Sequence, residues 1–543
     1  MQTLPRPKAS YRIQQISATT TGAIAGRVCS SSASVGVQGK LSSLAIQRSA
    51  AVQRMGEVFP GAMTWFIISA LFWAPMIFPW PVALAIILFD LYWFTRSLSA
   101  SYYAIKGYSN LQREQKVNWR AAYESALDDG RVTIPWESVH HVVIIPNLNE
   151  RMEKLRLTLE HLAHQDDVSQ QITVVLAMEA KEPEAIEKAG LLQEEFKESF
   201  AHIFATFHPD NLPGEVPGKS SNEAWAARWV KQRLVDALGY DLANITVTSC
   251  DADSLLHPRY FSALTYYFST DLKRHRRFWQ APIFLYNNIW DVPMPTRVIS
   301  ALSTVNFLSD LCKPHGLVFP QSTYTLSLQM AHEVDYWDVD VIPEDWHMFL
   351  KCFFHLNGEV DTVPVFLPVG ADAVKGETYK RSLISRYKQA KRHAWGAEDI
   401  AYAARECLLH AEIPFVARSR RMWALVENHL LWSTHWFLLT LGGAVPALLA
   451  IPLREFAPGV GLPQIVSLIL TVCLAPGVII VVLDHLLRPA PPATMSKWFV
   501  AFTHAQWLLL PITSVVFASL PALHAQTQLM LGKPLVYEVT EKA

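Results

Sequence analysis

Two aspartates one residue apart, Asp251 and Asp253, are the clearest chemical feature of the chain. They follow the apolar, β-branched run 245–248, and side chains at positions i and i+2 leave a strand on the same face. Mg²⁺ and Mn²⁺ are typically held by one or two carboxylates while substrate phosphates complete the coordination shell. The pair therefore predicts a metal site for a nucleotide diphosphate, although Asp-x-Asp-Ser is also ordinary turn chemistry.

Strand and helix patterns alternate around these aspartates. Buried strands are predicted upstream at three apolar runs, 140–146, 172–178 and 203–207. Helical patterns separate them, which favours a doubly wound α/β domain whose ligand lies outside the carboxyl ends of the strands. Pro146, Glu150 and Glu179 fall at such ends, so we expect them to share one crevice with the aspartates.

Two further charged patterns lie downstream. Glu344 and Asp345 precede a predicted helix at 346–356, and a helix dipole stabilises an ionised carboxylate there that can serve as a general base. The alternative is ordinary capping by an acidic first turn. Gln389 and Arg392, one turn apart in a cationic helix, would form either a charge clamp opposite a pyrophosphate or a solvated basic face.

Hydrophobic segments flank this region. The chain has 543 residues, of which 51% are hydrophobic, and this fraction is high for a soluble enzyme. Residues 61–94 carry one charge, Asp90, and are interrupted by Phe78-Pro79-Trp80-Pro81, which predicts two closely spaced membrane helices. Three later segments each supply the ~20 residues that a span requires: 430–451, 462–483 and 498–520.

We therefore predict six segments. They are a basic tail without acidic residues (1–56), two transmembrane helices (57–98), linker or interfacial helices (99–134), a cytosolic α/β domain (135–415), an interfacial segment with about three transmembrane or re-entrant helices (416–522) and a C-terminal tail (523–543). Arg96 and the basic run 418–421 flank the central domain, so the positive-inside tendency predicts that it is cytosolic, with the plasma membrane favoured. The first segment is typical of a disordered tail that meets anionic lipid, with a transit peptide as the alternative.

Composition argues against other classes. The chain has a net charge of −1 and no basic stripe, and this charge pattern argues against nucleic-acid binding. The six cysteines form no CxxC pair and no disulfide-like or zinc-like spacing, which agrees with a reducing compartment. The pattern does not specify an oligomeric state.

Taken in order, these motifs resemble the membrane-integrated family-2 glycosyltransferases, relatives of cellulose, chitin and hyaluronan synthases. The resemblance covers roughly residues 135–400 and the flanking spans, and its motifs are Pro146…Asn149-Glu150, Glu179, Lys219, Asp251-Ala252-Asp253, Gln280…Tyr286-Asn287, Glu344-Asp345 and Gln389-x-x-Arg392. It implies an A-type α/β fold and an inverting transfer of a sugar from a nucleotide diphosphate, such as a UDP-sugar, to an acceptor hydroxyl. The expected partners are the nucleotide sugar, a lipid or glycan acceptor and membrane lipids.

The resemblance also implies individual roles. Residues implied to contact the donor are Pro146, Glu150, Glu179, Lys219 and Asp251, with Asp253 as the ligand of Mg²⁺ or Mn²⁺. Residues implied in catalysis are Asp345 as general base, Glu344 as the next candidate, and Gln389 and Arg392, which would neutralise the departing diphosphate. Residues expected near the acceptor are Gln280, Tyr286, Ser322, Thr323, Trp346, His393 and Trp395.

The chain departs from the synthases at two places. His393 stands where processive synthases have an acceptor-stacking tryptophan, and Trp395 follows two residues later. The sequence therefore does not decide between polymer synthesis and the transfer of a single sugar. Residues 537–542 resemble a gating segment that must reach the cytosolic site, yet two spans before the domain and three after it would leave this tail outside. Two other classes remain: a different metal-dependent membrane enzyme acting on nucleotide or lipid diphosphates, and a non-catalytic scaffold.

Overall fold

The computed structural model describes residues 35–314 and 318–533, with side chains from residue 50 onwards. It has two compact units, 1–50 and 51–543, and the described part of the first is the beginning of a helix. The sequence-predicted tail lies mostly outside the described residues, and the gating-like segment 537–542 lies wholly outside them.

The described strands are β1 (His140–Asn147), β2 (Ile172–Glu179), β3 (His202–His208), β4 (Ile245–Ser249), β5 (Leu255–Leu256), β6 (Arg277–Gln280), β7 (Ile283–Phe284), β8 (Tyr324–Ser327), β9 (Asp361–Pro364) and β10 (Val369–Gly370). The described α-helices are α1 (Val35–Ile77), α2 (Pro79–Glu114), α3 (Trp119–Asp128), α4 (Met152–Ala163), α5 (Ala185–Glu195), α6 (Lys219–Val230), α7 (Tyr260–Thr270), α8 (Met294–Asp310), α9 (Leu328–Glu333), α10 (Glu344–His355), α11 (Tyr379–Ala394), α12 (Asp399–Leu409), α13 (Phe415–Leu441), α14 (Ala444–Leu449), α15 (Leu462–Val472), α16 (Leu474–Leu487), α17 (Lys497–Ala505), α18 (Leu510–Ser514) and α19 (Leu520–Met530).

The larger sheet has the strand order β3-β2-β1-β4-β8-β6-β9. Strands β1 to β4 pair in parallel, β8 pairs antiparallel with β4 and β6, and β6 pairs in parallel with β9. The smaller sheet has the order β5-β10-β7. The α/β class predicted from strand and helix alternation is confirmed, and the parallel strands bring the ends of β1, β2 and β4 to one edge.

The sheet is buried on both faces because its strands alternate between two apolar cores. Val143 and Val174 belong to one core, which packs on α4, α5 and α7. Val142 and Val175 belong to the other, which packs on α6 and α10. Burial on both faces is the reason that β1 and β2 are near-continuous apolar runs.

Four helical segments of the described chain are long and apolar enough to cross a membrane: Ala50–Ile77, Pro79–Glu114, Leu462–Leu487 and Lys497–Met530. They flank the α/β domain in sequence. The segment 430–451, which the sequence favoured as a further span, is not among those found in the described ranges. Its helix α13 ends at Leu441, and Gly442-Gly443 separates it from α14, because glycine disfavours a helix interior.

The second of these helices also extends beyond the predicted limit at residue 98. It continues without a break to Glu114 and packs against α8 of the α/β domain. A Cβ atom on Gly107 would come within 2.7 Å of the Leu308 side chain and 2.8 Å of its carbonyl oxygen. The bare glycine therefore allows a close contact between a candidate membrane helix and α8.

Candidate active site

A cleft of about 140 Å³ lies outside the carboxyl ends of β1, β2 and β4, and we call it the strand-end cleft. Its lining residues are Pro146, Asn147, Leu148, Glu150, Glu179, Lys181, Pro217, Gly218, Lys219, Asn222, Asp251, Ala252, Asp253 and Arg392. The predicted donor residues therefore come together. Each is carried by a strand end, by the loop that follows a strand or by the first turn of a helix, which is where a parallel sheet places its ligand.

Lys219, the first residue of α6, connects the separate parts of the site. Its Nζ lies 2.8 Å from Asp251 Oδ1 and 2.8 Å from Glu344 Oε1. It also donates to the Ser322 carbonyl at 2.9 Å. Burial opposes the charge of Lys219, but Asp251, Glu344 and Glu223 outweigh it and raise the pKa of Lys219 well above its usual value. One cation thus holds the β4 loop, the 322 loop and α10 together.

The two aspartates after β4 have different partners. Asp251 Oδ2 accepts the Ser322 hydroxyl at 2.6 Å, and Oδ1 faces Lys219. Asp253 is 4% exposed, and its Oδ2 accepts the backbone N–H of Asp372 at 2.9 Å. No group of three or more His, Cys, Asp or Glu in the described part of the chain is arranged to hold a metal by itself. Asp253 therefore fits Mg²⁺ or Mn²⁺ where a diphosphate supplies the remaining oxygens.

A larger cavity of about 370 Å³ opens beside the cleft, and we call it the helix-lined cavity. Its walls come from β7, α8, α10, α11 and α13 with the loops at 321–322 and 371–374. Lys219, Asp251 and Arg392 line both spaces. A molecule in the strand-end cleft would therefore meet a molecule in the helix-lined cavity at these three charged residues.

Asp345 lies in the wall of the helix-lined cavity, at the start of α10. Its carboxylate accepts the N–H of Trp346 at 2.9 Å and that of Ser322 at 3.3 Å. Ser322 has a φ of 57°, an uncommon conformation for a residue other than glycine. Burial and the neighbouring Glu344 raise the pKa of Asp345 to about 7, so this carboxylate can exchange a proton near neutral pH.

Helix α11 contributes Gln389, Arg392 and His393 to the helix-lined cavity. Arg386, one turn earlier on the same helix, donates from Nη1 to Gln389 Oε1 at 2.7 Å. This bond orients the Gln389 amide. Trp346 also lines the cavity, and its ring stacks on Phe319 with centroids 4.7 Å apart.

Four residues predicted to contact the acceptor do not line either space. Gln280 is buried, donates to the Thr323 carbonyl at 3.1 Å and accepts the Gln321 N–H at 2.8 Å. Thr323 is buried and bonded to Ser254 at 2.7 Å. These two residues hydrogen-bond within the loop that carries Ser322, and their contact with the acceptor stays a prediction.

Tyr286 and Trp395 contact the C-terminal helices instead. The Tyr286 hydroxyl donates to Asp484 of α16 at 2.8 Å. Trp395 donates to Glu398 at 2.7 Å and packs on α19 beside Ala522. Both rings are buried between the α/β domain and the C-terminal helices, and their contact with the acceptor stays a prediction.

The sequence reasoning missed several residues of the helix-lined cavity, chiefly Arg386, His429 and Trp432. Arg386 precedes Gln389 by three positions, so helical spacing could have identified it. His429 and Trp432 stand in a mostly apolar stretch of α13, where nothing in the pattern distinguishes a site residue from a packing residue.

The model of glycosyl transferase family group 2 matches residues 246–483. In this range the chain is family-2-like. The match includes the Asp251–Asp253 loop, Asp345 and the Gln389 to Arg392 turn, and it extends into the candidate membrane helix at 462–487. A search of curated proteins found no significant match.

Solved structures show weaker likenesses. The mannosyltransferase PcManGT from Pyrobaculum calidifontis, in complex with GDP-Man and Mn²⁺, is 14% identical over 77% of this chain and 98% of its own, with a TM-score of 0.38. GalNAc-T7 with UDP, GalNAc and Mn²⁺ is 12% identical over 54% of this chain and 58% of its own, with a TM-score of 0.33. TarS 1–349 from S. aureus, in complex with UDP, is 11% identical over 64% of this chain and 90% of its own, with a TM-score of 0.27.

Proposed function

We propose that this protein is an inverting glycosyltransferase that moves a sugar from a nucleotide diphosphate, specifically a UDP-sugar, to a hydroxyl of a lipid or polysaccharide at a membrane. One observation carries the proposal: the strand-end cleft and the helix-lined cavity meet at Lys219, Asp251 and Arg392. Asp345 lines only the second space. In this proposal the base, Asp345, lies on the acceptor side, the donor binds in the strand-end cleft, and transfer occurs where the two spaces meet.

In the proposed reaction, Asp345 takes the proton from the acceptor hydroxyl in the helix-lined cavity. The hydroxyl oxygen forms a bond to the anomeric carbon, and the bond from that carbon to the diphosphate breaks. The electron pair leaves with the diphosphate, whose charge meets Arg392 and the Gln389 amide. Because base and leaving group lie on opposite sides of the sugar, the configuration inverts. Such fixed charges are usually the largest single contribution to catalysis.

The metal belongs to the donor side of the proposal. Asp253 would hold Mg²⁺ or Mn²⁺, which when bound neutralises diphosphate charge and so improves the leaving group. Asp251 is engaged by Lys219 and Ser322, so its role would be to fix the loop rather than to bind the ion. Glu150 and Glu179 also line the cleft, and in this proposal they would make polar contacts with the uridine.

The test uses the full-length protein in detergent and a panel of nucleotide sugars with Mn²⁺. We expect one sugar nucleotide to release its nucleotide faster when a lipid or glycan acceptor is added, with a product of inverted anomeric configuration. Nucleotide release that no acceptor accelerates would instead favour a hydrolase acting on nucleotide diphosphates. No release from any donor would contradict the proposal.

We also propose that the α/β domain faces the cytosol at the plasma membrane. The basic residues Arg96 and Arg418 to Arg421 flank the domain, and such residues concentrate on the cytosolic side. In sealed inside-out vesicles, protease should cleave within 135–415 and spare the four candidate membrane helices. Protection of the domain would contradict this orientation.

A further inference from the structure

Arg386 lies in the wall of the helix-lined cavity and has no acidic partner among the described residues. Its one hydrogen bond runs from Nη1 to Gln389, and its Nε, although buried, has no partner among the described residues. Burial lowers the pKa of Arg386 to about 10, which leaves the side chain charged at neutral pH. Burying an unpaired charge is unfavourable, so a ligand that supplies an anion here would relieve that cost.

The carboxylates of the same cavity are already engaged. Lys219 pairs with Asp251 and Glu344, and Lys154 pairs with Asp372 at 3.1 Å. The carboxylate of Asp345 accepts two backbone N–H groups. Within the described chain, Arg386 is therefore the cavity cation that the protein leaves without a counter-charge.

A second polar group in this cavity also lacks a partner. His429 of α13 is 1% exposed, and neither ring nitrogen has a hydrogen-bond partner among the described residues. Its ring lies edge-on to Trp346 and stacks on Trp432, with centroids 5.5 and 6.3 Å away. The great majority of buried polar side-chain atoms are hydrogen-bonded, so the two ring nitrogens of His429 are available to a polar ligand in this cavity.

Part of the remaining wall is apolar and lies towards the candidate membrane helices. Ile283, Leu285, Phe307 and Val374 line it. Phe307 belongs to α8, which packs on the long helix Pro79–Glu114 through the Gly107–Leu308 contact. One cavity thus combines an uncompensated guanidinium with an apolar surface beside a candidate membrane helix.

We propose that the helix-lined cavity binds an acceptor amphiphile whose head group carries a phosphate ester, with Arg386 as the phosphate-binding residue and the apolar wall along the acyl or prenyl chain. A guanidinium matches phosphate oxygens with paired N–H donors. The phosphate is a recognition element and takes no part in bond formation, since the nucleophile is a hydroxyl of the same head group beside Asp345. This inference rests on the proposed glycosyl transfer, because it takes the cavity to be the acceptor site.

The experiment measures equilibrium binding of tritiated dodecyl phosphate to the purified full-length protein in a neutral detergent. Dodecyl β-glucoside, which has the same chain and no charge, and inorganic phosphate, which has no chain, serve as competitors. Wild-type protein should bind dodecyl phosphate, and neither competitor should displace it at equal concentration. Displacement by inorganic phosphate alone would identify a free-phosphate site, and displacement by the glucoside alone would identify an apolar site without charge recognition; either would overturn the proposal.

Three variants locate the binding. Arg386→Gln should weaken dodecyl phosphate binding at least tenfold, and Arg386→Lys should recover part of it. Arg381→Gln is the matched control, since Arg381 is an exposed arginine on the same helix that pairs with Glu377 and should bind like wild type. Far-UV circular dichroism, measured in parallel, should be unchanged in all three and shows that they are folded, and UDP affinity is measured on the same samples.

Two results would overturn the assignment of Arg386. In one, Arg386→Gln binds dodecyl phosphate like wild type. In the other, Arg386→Gln loses UDP affinity but still binds dodecyl phosphate. That result would mean that Arg386 supports donor binding through its hydrogen bond to Gln389. A protein that binds dodecyl phosphate through Arg386 but neither binds nor turns over any sugar nucleotide would contradict the proposed function and leave the anion site in place.

Discussion

The strand-end cleft and the helix-lined cavity are neighbours built in opposite ways. In the cleft, Lys219 is surrounded by carboxylates, and the protein itself supplies the partners of its charged groups. In the cavity, Arg386 and His429 keep polar atoms without partners in the described chain. The cleft also has unpartnered polar atoms, since the amide oxygens of Asn147 and Asn222 lack a partner among the described residues. The two spaces therefore differ in charge pairing: Lys219 of the cleft is paired with carboxylates before a ligand arrives, whereas Arg386 of the cavity is not.

Their construction explains the difference. The cleft is formed by strand ends and short loops of one sheet, which a parallel topology holds together. The cavity is formed by helices far apart in sequence, from α8 to α13, and its shape depends on how the α/β domain packs on the C-terminal helices. Changes in the cleft should therefore affect donor binding and chemistry, and changes in the cavity should affect the acceptor.

The largest effect is expected on the donor side, at Asp253. Asp253→Asn should reduce transfer to background and abolish Mn²⁺-dependent UDP binding, because the carboxylate that would hold the ion is lost. The measurement is UDP affinity with Mn²⁺ and in excess chelator. Asp251→Asn is the matched control, and its UDP binding should stay Mn²⁺-dependent because Asp251 faces Lys219 and Ser322. Full transfer in excess chelator would contradict the metal assignment.

The next effect tests whether Asp345 acts on the acceptor side only. Asp345→Asn should lower the transfer rate by the ~10²–10⁴-fold of a general base and leave UDP affinity unchanged. The pKa of Asp345 is raised to about 7, and the ionised form is the base. The wild-type transfer rate should therefore be low below about pH 7, where Asp345 is protonated, and should increase as the pH rises through about 7.

Glu344→Gln serves as the control for this pH dependence, since Glu344 pairs with Lys219. It should keep a base and shift the rising limb to lower pH, because Glu344 is one of the groups that raise the pKa of Asp345. A wild-type rate in Asp345→Asn, or a joint loss of UDP binding, would assign the base elsewhere, with Glu344 as the next candidate.

The third effect tests the preorganisation of the cleft. Lys219→Met removes the cation between Asp251, Glu344 and Glu223, and breaking a buried pair costs about 3–5 kcal/mol. Thermal unfolding in detergent should show the loss. Lys181→Met at the rim is the control, since Lys181 is 3.8 Å from Glu179 and its side chain is 32% exposed, so its removal should cost no more than about 1 kcal/mol.

The pH dependence of the stability of the Lys219→Met variant shows whether repulsion between carboxylates causes the loss of stability. Burial raises the pKa of Glu223 to about 8, and Lys219 opposes this shift, so without the cation Glu223 keeps a folded-state pKa above its unfolded value. The folded state then binds more protons than the unfolded state, so the variant should become more stable as the pH falls from 8 to 6. A variant that is destabilised equally at both pH values would argue against charge repulsion as the cause.

The sequence predicted the cleft better than the cavity for a physical reason. Residues such as Glu179 and Asp253 follow apolar runs, and the strand pattern alone places their side chains at one edge. Asp345 likewise begins a helix that its own sequence predicts. These positions depend on local structure and on one topological rule, so few long-range contacts are needed to infer them.

The cavity could not be inferred in this way. Arg386, His429 and Trp432 line it because α11 and α13 pack beside α10, and no local pattern specifies that packing. The apolar composition of 430–451 predicts a span, but the glycine pair Gly442-Gly443 ends the helix. The predicted acceptor residues Gln280 and Tyr286 followed the order of motifs, whereas tertiary packing directs their side chains away from the cavity.

The smallest effect is expected for substitution of Tyr286. It tests whether this residue stabilises the fold or binds the acceptor. Tyr286→Phe should leave the acceptor KM unchanged and lower the free energy of unfolding by about 1.5–3 kcal/mol, the usual contribution of a hydrogen bond to a charged group. The bond lost is the one to Asp484, which Arg488 still neutralises. Tyr260→Phe is the control, because Tyr260 is equally buried but its hydroxyl bonds the neutral Thr325 at 2.9 Å, so its cost should be smaller. A tenfold rise in acceptor KM for Tyr286→Phe without loss of stability would return Tyr286 to the acceptor site and would extend the helix-lined cavity to α16.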